Sequence, residues 1–415
     1  MKLKLLKMIM IILFQMKMMN KIINLNLLKM ILFFNLLGIM VVFYSVYCLS
    51  YCSTKNILAS GGGDETCMIW KNPELSTITN KKVLPDQEYR DFQETVSCLD
   101  FSANGEFLAM GCMDGTVKIT KLSTGKQVTA EGPTESIEWV KWHPIGLVFL
   151  VGCADGTCWM FNAKGNFLNM FAGHKGSITC GGFSPNGKRV VTGSEDGTAR
   201  IWDPKLATTT QEFSGLRFHK AGLTSLEIDS NNSLLLSGSK DGTAILCHIE
   251  RLKVLGTFDG GQAKSNFIPK KLQKLEKNDE DEDEDEDEND ENDENDEKPQ
   301  KFLGSVESVG FSPTMPLFAT GSLTGDVRIW DLGTLRLRNK MVHDEGVTKI
   351  LWHPTDPLII SGSIDQTVRV WDTRNAENVR TFYGHHSMIL DLAFNAKDNQ
   401  IFSCSDDHEI LSFKI

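Results

Sequence analysis

The chain has 415 residues, 41% of them hydrophobic, which is enough to bury one large core or two ordinary ones. Its 35 glycines show no period of three, and its prolines and cysteines are sparse, which excludes collagen-like and disulfide-knot classes. The net charge of −11 is uneven, because residues 1–30 carry six lysines and no acid, whereas residues 279–297 contain 16 acids. The rest of the chain is nearly neutral, so we expect no direct binding to nucleic acid through a basic face.

The N-terminal 44 residues are basic and apolar. Residues 30–49 form a nearly continuous apolar stretch, as long as the roughly 20 residues that cross a bilayer. Four interpretations are open: a membrane anchor, a signal peptide, part of the globular domain, or a segment that is not native coding sequence, since its residues are largely those of A/T-rich codons.

The spacing of the ten cysteines and the lack of common enzyme motifs narrow the classes of function to be considered. No CxxC pair is followed by a second pair or by two histidines at zinc-ligand spacing. Most cysteines lie in apolar segments, so we expect small hydrophobic side chains in a reducing compartment. With no Gly-rich phosphate loop and no isolated nucleophile beside a base, we expect no enzyme, no metal, no cofactor and no small-molecule substrate.

One pattern recurs eight times along the chain: two apolar strands joined by a polar turn, then Asp-Gly-Thr or a variant, then alternation that ends in Trp or a substitute. The turn position is occupied by Asp64, Asp114, Asp155, Asp196, Asp241, Thr324, Asp365 and Asp407. These positions are 41 to 50 residues apart, except for one interval of 83. The extra length is residues 259–301, which are mostly acid and Asn without an alternating strand, so we expect a disordered insertion between the fifth and sixth copies.

Four short strands per repeat of this length are typical of a β-propeller blade. Asp-Gly provides the positive φ that a tight turn needs, and a single blade must stack on others to bury both of its faces. The sequence therefore predicts an all-β, eight-bladed β-propeller over residues 31–415.

Four copies also place a histidine 22 residues before the turn Asp and a hydroxyl four residues before it. The sets are His174, Thr192 and Asp196; His219, Ser237 and Asp241; His343, Ser361 and Asp365; and His385, Ser403 and Asp407; two of them add Trp202 and Trp371. They resemble the hydrogen-bond network of WD-repeat propellers. A buried relay repeated four times is structural, because catalysis needs one exposed site.

The resemblance to WD-repeat propellers has a consequence for the N-terminus. Such rings close when an N-terminal strand joins the last three strands, and the last repeat here ends at Ile415. The offset places the closing strand at residues 31–38, within 31–44. Residues 1–30 are then a separate extension, either a targeting segment or not native.

Some segments carry residues that distinguish one group of propellers more sharply than the repeat pattern does. They include IEWVKWHP at residues 137–144, CADGTCWM at 153–160 and SVESVGF at 305–311. They resemble the angio-associated migratory cell protein family of WD-repeat propellers, which includes a fungal chaperone for a newly made large-subunit ribosomal protein. The resemblance implies a non-enzymatic protein that binds a basic segment of such a partner. Members carry an acidic segment before the propeller, where this chain is basic and apolar.

In WD-repeat propellers, positions near the start of each first strand and just before each turn Asp point to the face around the central channel. The acidic residues at these positions are Glu138, Glu307, Glu195 and Asp406, with Glu135, Asp344 and Glu345 in the connections just before them. Trp139 adds an apolar contact. We expect this set to bind the partner, and the alternative for each residue is ordinary surface charge.

Two other functions are open. The first is a signalling or cell-migration scaffold. The second is a secreted or membrane-anchored protein, in which the sequon at Asn231 would be open to glycosylation. The lack of paired cysteines favours a reducing compartment over secretion. We expect a monomer in the cytoplasm and also in the nucleus.

Overall fold

The computed structural model describes residues 40–41, 45–73, 84–260 and 304–415. Their strands form eight antiparallel sheets of four strands each, which confirms the predicted eight-bladed propeller. The strands are β1 (Met40–Val41), β2 (Val46–Cys52), β3 (Ile57–Gly62), β4 (Cys67–Lys71), β5 (Gln87–Tyr89), β6 (Val96–Phe101), β7 (Phe107–Cys112), β8 (Val117–Lys121), β9 (Lys126–Ala130), β10 (Ile137–Trp142), β11 (Val148–Cys153), β12 (Thr157–Asn162), β13 (Phe167–Ala172), β14 (Cys180–Phe183), β15 (Val190–Gly193), β16 (Ala199–Asp203), β17 (Thr208–Phe213), β18 (Leu223–Ile228), β19 (Leu234–Ser239), β20 (Thr243–His248), β21 (Lys253–Asp259), β22 (Val306–Phe311), β23 (Leu317–Ser322), β24 (Asp326–Asp331), β25 (Leu337–Val342), β26 (Val347–Trp352), β27 (Leu358–Ser363), β28 (Val368–Asp372), β29 (Asn378–Phe382), β30 (Ile389–Asn395), β31 (Gln400–Ser405) and β32 (Glu409–Lys414).

Blades 1 to 7 are each four consecutive strands, beginning with β2–β5 and ending with β26–β29, and blade 8 is β30–β32 together with β1. The first strand of each blade contacts the first strands of both neighbouring blades, and β2 contacts β30, so the ring is closed. The first strands surround a central channel with a volume of about 1090 Å³, and residues from all eight blades line it.

The hydrophobic core lies between the blades. Eight clusters of buried apolar side chains each join two neighbouring blades, one cluster per interface. All ten cysteines are unpaired and buried, as their apolar surroundings predicted. Burial raises the pKa of the Cys98 thiol to about 12, so this side chain remains a neutral packing group.

The ring closes with a short strand from the N-terminal side. Strand β1 pairs antiparallel with β32, with Met40 opposite Ile410. The closing strand described by the structure is therefore Met40–Val41, whereas the offset predicted residues 31–38, which lie outside the described residues. The seam between blades 1 and 8 is also linked by the Ser45 hydroxyl, which donates to Asp406 Oδ1 at 2.5 Å.

The connection between blades 5 and 6 begins later than the repeat arithmetic indicated. Asp259 is the last residue of β21 and pairs with Thr243. Residues 261–303, with the acidic tract, lie outside the described residues, so the prediction of disorder there is untested. At the start of the connection, the Gly260 carbonyl accepts a 2.6 Å hydrogen bond from Ser322 Oγ, which joins blades 5 and 6.

The interpretations of residues 1–30 also fall outside the described residues. Within the ranges that the structure describes, no helix is long and apolar enough to cross a membrane.

Candidate functional site

The predicted binding residues lie at one edge of each sheet. The start of each first strand pairs with the end of the second, as Val347 does with Ser363. The connection into a blade and the turn between its second and third strands therefore share an edge. In all eight blades the residue before the turn Asp, or before Thr324 in blade 6, donates its backbone N–H to a carbonyl of that connection, at 2.8–3.1 Å. We call this residue the turn residue and this side of the ring the top face; the opposite side is the bottom face.

A β-bulge near the start of the first strand shapes the top face in seven blades. Where the bulge residue carries a short hydroxyl, it links the blades: Ser97 Oγ donates to the Ile137 carbonyl at 2.5 Å, and Thr348 Oγ1 donates to the Ile389 carbonyl at 2.7 Å. The bulge residues of blades 3 and 6 are Glu138 and Glu307, so a carboxylate replaces this link.

The structure places the seven predicted carboxylates on the top face. Glu138 is exposed, and Glu307 is half-buried and lines the channel. Glu195 and Asp406 are turn residues, and the other three, Glu135, Asp344 and Glu345, lie in the connections that enter blades 3 and 7. The predicted residues thus share one face, although this placement does not test whether they bind a partner.

Three of these carboxylates already have intramolecular partners. Glu195 forms an ion pair with Lys240 at 2.7 Å, Asp344 forms one with Arg369 at 2.8 Å, and Asp406 accepts the Ser45 hydroxyl. The remaining four, Glu135, Glu138, Glu307 and Glu345, form no ion pair with the residues that the structure describes. Exposed Lys175 and Lys220 lie in the connections that enter blades 4 and 5 on the same side, so the top face also carries positive charge.

The environment of Glu138 favours a positively charged partner. Partial burial raises the pKa of its carboxyl, the hydroxyl of Ser136 lowers it, the charge of Glu195 raises it, and the charge of Lys240 lowers it. Lys240 is already paired with Glu195, and a further cation beside Glu138 would stabilise its ionised form.

Trp139, the predicted apolar contact, lies at the wall of the channel and is largely buried. Only 7% of its surface is exposed, and its indole N–H donates to the Ile178 carbonyl at 3.0 Å. The ring lies against Gly152 of its own blade and Gly181 of the next, where added Cβ atoms would come within 2.2 and 2.5 Å of it. The side chain fills the interface between blades 3 and 4, because both glycines leave room for it.

The four predicted networks are present and buried. The histidine Nδ1 lies 3.1, 3.3, 2.9 and 2.9 Å from the carboxylates of Asp196, Asp241, Asp365 and Asp407, respectively. The histidine Nε2 lies 2.8, 2.8, 2.7 and 2.7 Å from the hydroxyls of Thr192, Ser237, Ser361 and Ser403. The indoles of Trp202 and Trp371 each donate to their hydroxyl at 2.8 Å.

The network of blade 4 fixes the proton positions. Because the Trp202 indole donates to Thr192, the threonine hydroxyl directs its own proton to His174 Nε2. The Nδ1–H of His174 then donates to Asp196, and the imidazole is neutral. Burial lowers the pKa of His174, which agrees with this assignment. Burial alone would raise the pKa of Asp196, but hydrogen bonds from Thr198 and Lys175 lower it to about 2.

Sequence analysis missed a second set of carboxylates, which lies on the first strands inside the ring. These strands have an unpaired edge, and a carboxylate from one blade accepts a backbone N–H of the next. The pairs are Asp100 with Trp142 at 2.8 Å, Glu227 with Phe311 at 2.9 Å, and Asp391 with Leu49 at 3.0 Å. Burial raises the pKa of Glu227 to about 7, and the hydrogen bond from the Phe311 N–H offsets part of the effect of burial. The sequence signal for this set was a charged residue within the first strand of a repeat, which is the innermost strand of its blade.

The described residues contain no group of three or more His, Cys, Asp or Glu side chains arranged to hold a metal ion. The four histidine relays are buried between strands, where a substrate has no access.

A ring of eight four-stranded blades, closed by an N-terminal strand and carrying His–Asp–Ser/Thr networks, defines a WD-repeat propeller. The chain belongs to the WD40 family: the family model described as "WD domain, G-beta repeat" matches residues 42–71, 86–120, 165–203, 210–247, 297–331, 336–372 and 376–412. Strands β10–β12 of blade 3 fall between two matched segments.

Two named relatives confirm the predicted resemblance. The human (Homo sapiens) Angio-associated migratory cell protein is 32% identical over 382 residues, which cover 89% of this chain and 77% of that protein. Ribosome assembly protein SQT1 of Saccharomyces cerevisiae is 24% identical over 332 residues, which cover 74% of this chain and 68% of that protein.

Solved structures have the same fold. Saccharomyces cerevisiae Sqt1 superposes with a TM-score of 0.73 at 20% identity, over 92% of this chain and 99% of that one. Chaetomium thermophilum Sqt1 bound to the N-terminus of the ribosomal protein L10 gives a TM-score of 0.70 at 21% identity, over 90% and 97%.

Proposed function

We propose that this WD40 propeller is a ribosome-assembly chaperone whose top face captures a basic segment of a large-subunit ribosomal protein. The observation that carries the proposal is the set of top-face carboxylates, of which Glu135, Glu138, Glu307 and Glu345 form no ion pair with other described residues. Arginine and lysine side chains of a partner would supply the missing positive charge.

The relatives support the same partner class. One is named a ribosome assembly protein, and one solved propeller of the same fold carries the N-terminus of ribosomal protein L10. The proposal applies this ligand class to the present chain because the carboxylates at its own top-face positions match a basic peptide.

The acidic tract at residues 279–297 has a separate role in the proposal. Its 16 acidic residues attract a basic partner over distances longer than a hydrogen bond and so speed the encounter. Removal of the tract is expected to lower the association rate more than it raises the dissociation rate, and the effect should disappear at high salt.

The binding test uses the full chain and a synthetic peptide with the N-terminal sequence of ribosomal protein L10. The double variant Glu138→Lys with Glu307→Lys is expected to bind at least about tenfold more weakly, because two attractions become repulsions. The matched control is Glu106→Lys with Glu377→Lys, which changes the same charge at exposed turns of the bottom face.

Isothermal titration at two salt concentrations measures the affinities, and the urea midpoint of each variant verifies that it is folded. Equal affinity of the top-face variant and the bottom-face control would reject this binding site.

A signalling or cell-migration scaffold is the second candidate, favoured by the 32% identity to the human Angio-associated migratory cell protein. Affinity purification of the full chain from cytosol separates the two. One ribosomal protein in stoichiometric amount supports the chaperone, and a mixture of signalling proteins supports the scaffold. We also propose a cytoplasmic location that extends to the nucleus, which fluorescence microscopy of the tagged full chain would test.

A further inference from the structure

The top face carries apolar side chains as well as carboxylates. The turn residues of blades 2, 6 and 7 are Met113, Leu323 and Ile364, and Met388 is the connection residue that accepts the turn N–H in blade 8. Met113, Leu323 and Met388 are 42%, 36% and 38% exposed, and Tyr47, the bulge residue of blade 1, is 42% exposed. These five residues, which we call the apolar sector, lie one in each of blades 6, 7, 8, 1 and 2.

The apolar sector is continuous at its centre and borders the acids. Leu323 and Ile364 both lie 3.0 Å from the position that a Cβ of Gly346 would occupy, so they approach each other from neighbouring blades. Leu323 follows Ser322, which pairs with Val306, and Val306 precedes Glu307. Acidic and apolar side chains therefore lie side by side at blade 6, and Asp344, Glu345 and Asp406 lie in blades 7 and 8 beside the same sector.

Large exposed side chains grouped on one face of a ring are unlike isolated surface apolar residues, and such a group marks a binding surface. The adjoining carboxylates determine which partner fits. A purely apolar partner would leave the carboxylates desolvated without a counter-ion, and a purely basic one would place charges over the apolar sector.

We propose that the top face recognises an extended peptide in which basic residues are followed or preceded by aliphatic or aromatic residues, with the latter seated on the apolar sector. This inference rests on the proposed function and adds a second requirement to the partner. The basic residues pair with the unpaired carboxylates of blades 3, 6 and 7, and the apolar residues contact the apolar sector.

The test compares two peptides of equal charge on the full chain. One is the L10 N-terminal peptide, and the other has each of its aliphatic and aromatic residues replaced by serine. We expect the serine peptide to bind at least about fivefold more weakly and to lose the negative heat-capacity change that burial of apolar surface produces.

The protein variant Leu323→Ser with Met388→Ser should bind both peptides equally. Its matched control, Ile145→Ser with Leu147→Ser, removes two exposed apolar residues from the bottom face and should still discriminate. Urea midpoints establish that both variants are folded. If mutation of the apolar sector destabilises the chain, Met113→Ser alone gives the same comparison, with a smaller expected loss.

The outcomes separate the two proposals. If both peptides bind the wild type equally and remain sensitive to Glu138→Lys with Glu307→Lys, the proposed binding role of the apolar sector is wrong and the chaperone proposal stands. If neither peptide binds, both proposals fail. If the wild type self-associates in sedimentation and Leu323→Ser with Met388→Ser abolishes this, a second copy of the chain is the occupant and the peptide assignment is overturned.

Discussion

Blades 3 and 4 are neighbours that are held together by different interactions. Blade 4 has the complete network of His174, Thr192, Asp196 and Trp202. At the equivalent positions blade 3 has Pro133, Val151, Asp155 and Phe161. Only the aspartate is kept, and it accepts a 2.8 Å hydrogen bond from the Thr157 backbone N–H within its own turn.

Blade 3 replaces the polar network with aromatic packing. The Phe149 ring lies 4.9 Å from that of Trp142 and 5.7 Å from that of Phe161, and Trp139 fills the interface with blade 4. The comparison shows that a propeller blade does not need the histidine network. In blades 4 and 3, a complete network and a largely apolar set each fill this space without leaving a buried polar group of the set unsatisfied.

The largest effect on stability is expected when the main packing residue of blade 3 is removed. Trp139→Ala should lower the free energy of unfolding by about 3–5 kcal/mol, because it leaves a large cavity between two blades and an unpaired Ile178 carbonyl. Urea denaturation followed by tryptophan fluorescence and circular dichroism measures the loss. A change below about 1 kcal/mol would mean that the interface collapses around the cavity.

A double-mutant cycle sharpens the assignment to one contact. The Cβ of Gly152→Ala would lie 2.2 Å from Trp139 Nε1, so this change should destabilise the wild type. In the Trp139→Ala background the same change should cost much less, because the clash is gone. Additive effects of the two changes would show that Trp139 does not occupy this position in solution.

The polar networks allow a second, matched comparison. In blade 7 the Ser361 hydroxyl is bonded to both His343 and Trp371. In blade 5 the Trp position is Cys247, and the Ser237 hydroxyl is bonded to His219 and, at 3.4 Å, to the Ile245 carbonyl. Ser361→Ala therefore leaves two buried side-chain groups unsatisfied and Ser237→Ala leaves one. At about 1–3 kcal/mol per group, Ser361→Ala should be the more destabilising by about 1–3 kcal/mol in urea denaturation. Equal losses would mean that the indole bond contributes nothing.

The networks and the fold were predictable because they depend on spacing within one repeat. Each His, hydroxyl and Asp lies within 22 residues of chain, so a local pattern determines the contact. The burial of Trp139 depends instead on Gly181, which belongs to the next blade, and a residue type alone does not reveal that a neighbour lacks a side chain.

Contacts between different blades also explain the other differences between the sequence predictions and the structure. The ring pairs Met40 with Ile410, 370 residues along the chain, and repeat offsets place such a distant strand only approximately. The carboxylates of the channel cap N–H groups of the neighbouring blade, as Glu227 does for Phe311. These contacts follow from the closed ring and are absent from any single repeat.

Acid should weaken the blades with networks selectively. Burial lowers the pKa of His174 and His343 below the 6.5 of a free histidine, so the unfolded chain binds protons that the folded chain does not. The stability that these neutral histidines contribute is complete above pH 6.5 and is lost as the pH falls from 6.5 through their folded pKa values. The lowered pKa of Asp196, about 2 against 3.8, adds a second loss below pH 3.8.

Glu227, with its pKa raised to about 7, contributes with the opposite sign below pH 7, so the prediction concerns the difference between two proteins that share this residue. As the pH is lowered from 7.5 to 5, the urea midpoint of the wild type should fall relative to that of the double variant His174→Gln with His343→Gln. Histidine NMR shifts provide a readout that does not depend on stability, since both rings should titrate below the pKa of a free histidine. Protonation of either ring at or above pH 6.5 would contradict the assigned tautomers.

The smallest expected effect on stability is at the top face. Lys240→Ala removes the exposed ion pair with Glu195, and such pairs contribute no more than about 1 kcal/mol. The same change removes a positive charge that lowers the pKa of Glu138 and leaves Glu195 without its counter-ion. Affinity for a basic peptide should therefore rise while the urea midpoint barely moves, because a charge that competes with the ligand is gone. Lys253→Ala, an exposed lysine of the outer strand β21, is the matched control and should change neither quantity. A top face whose carboxylates do not bind the partner would respond to both lysine variants alike.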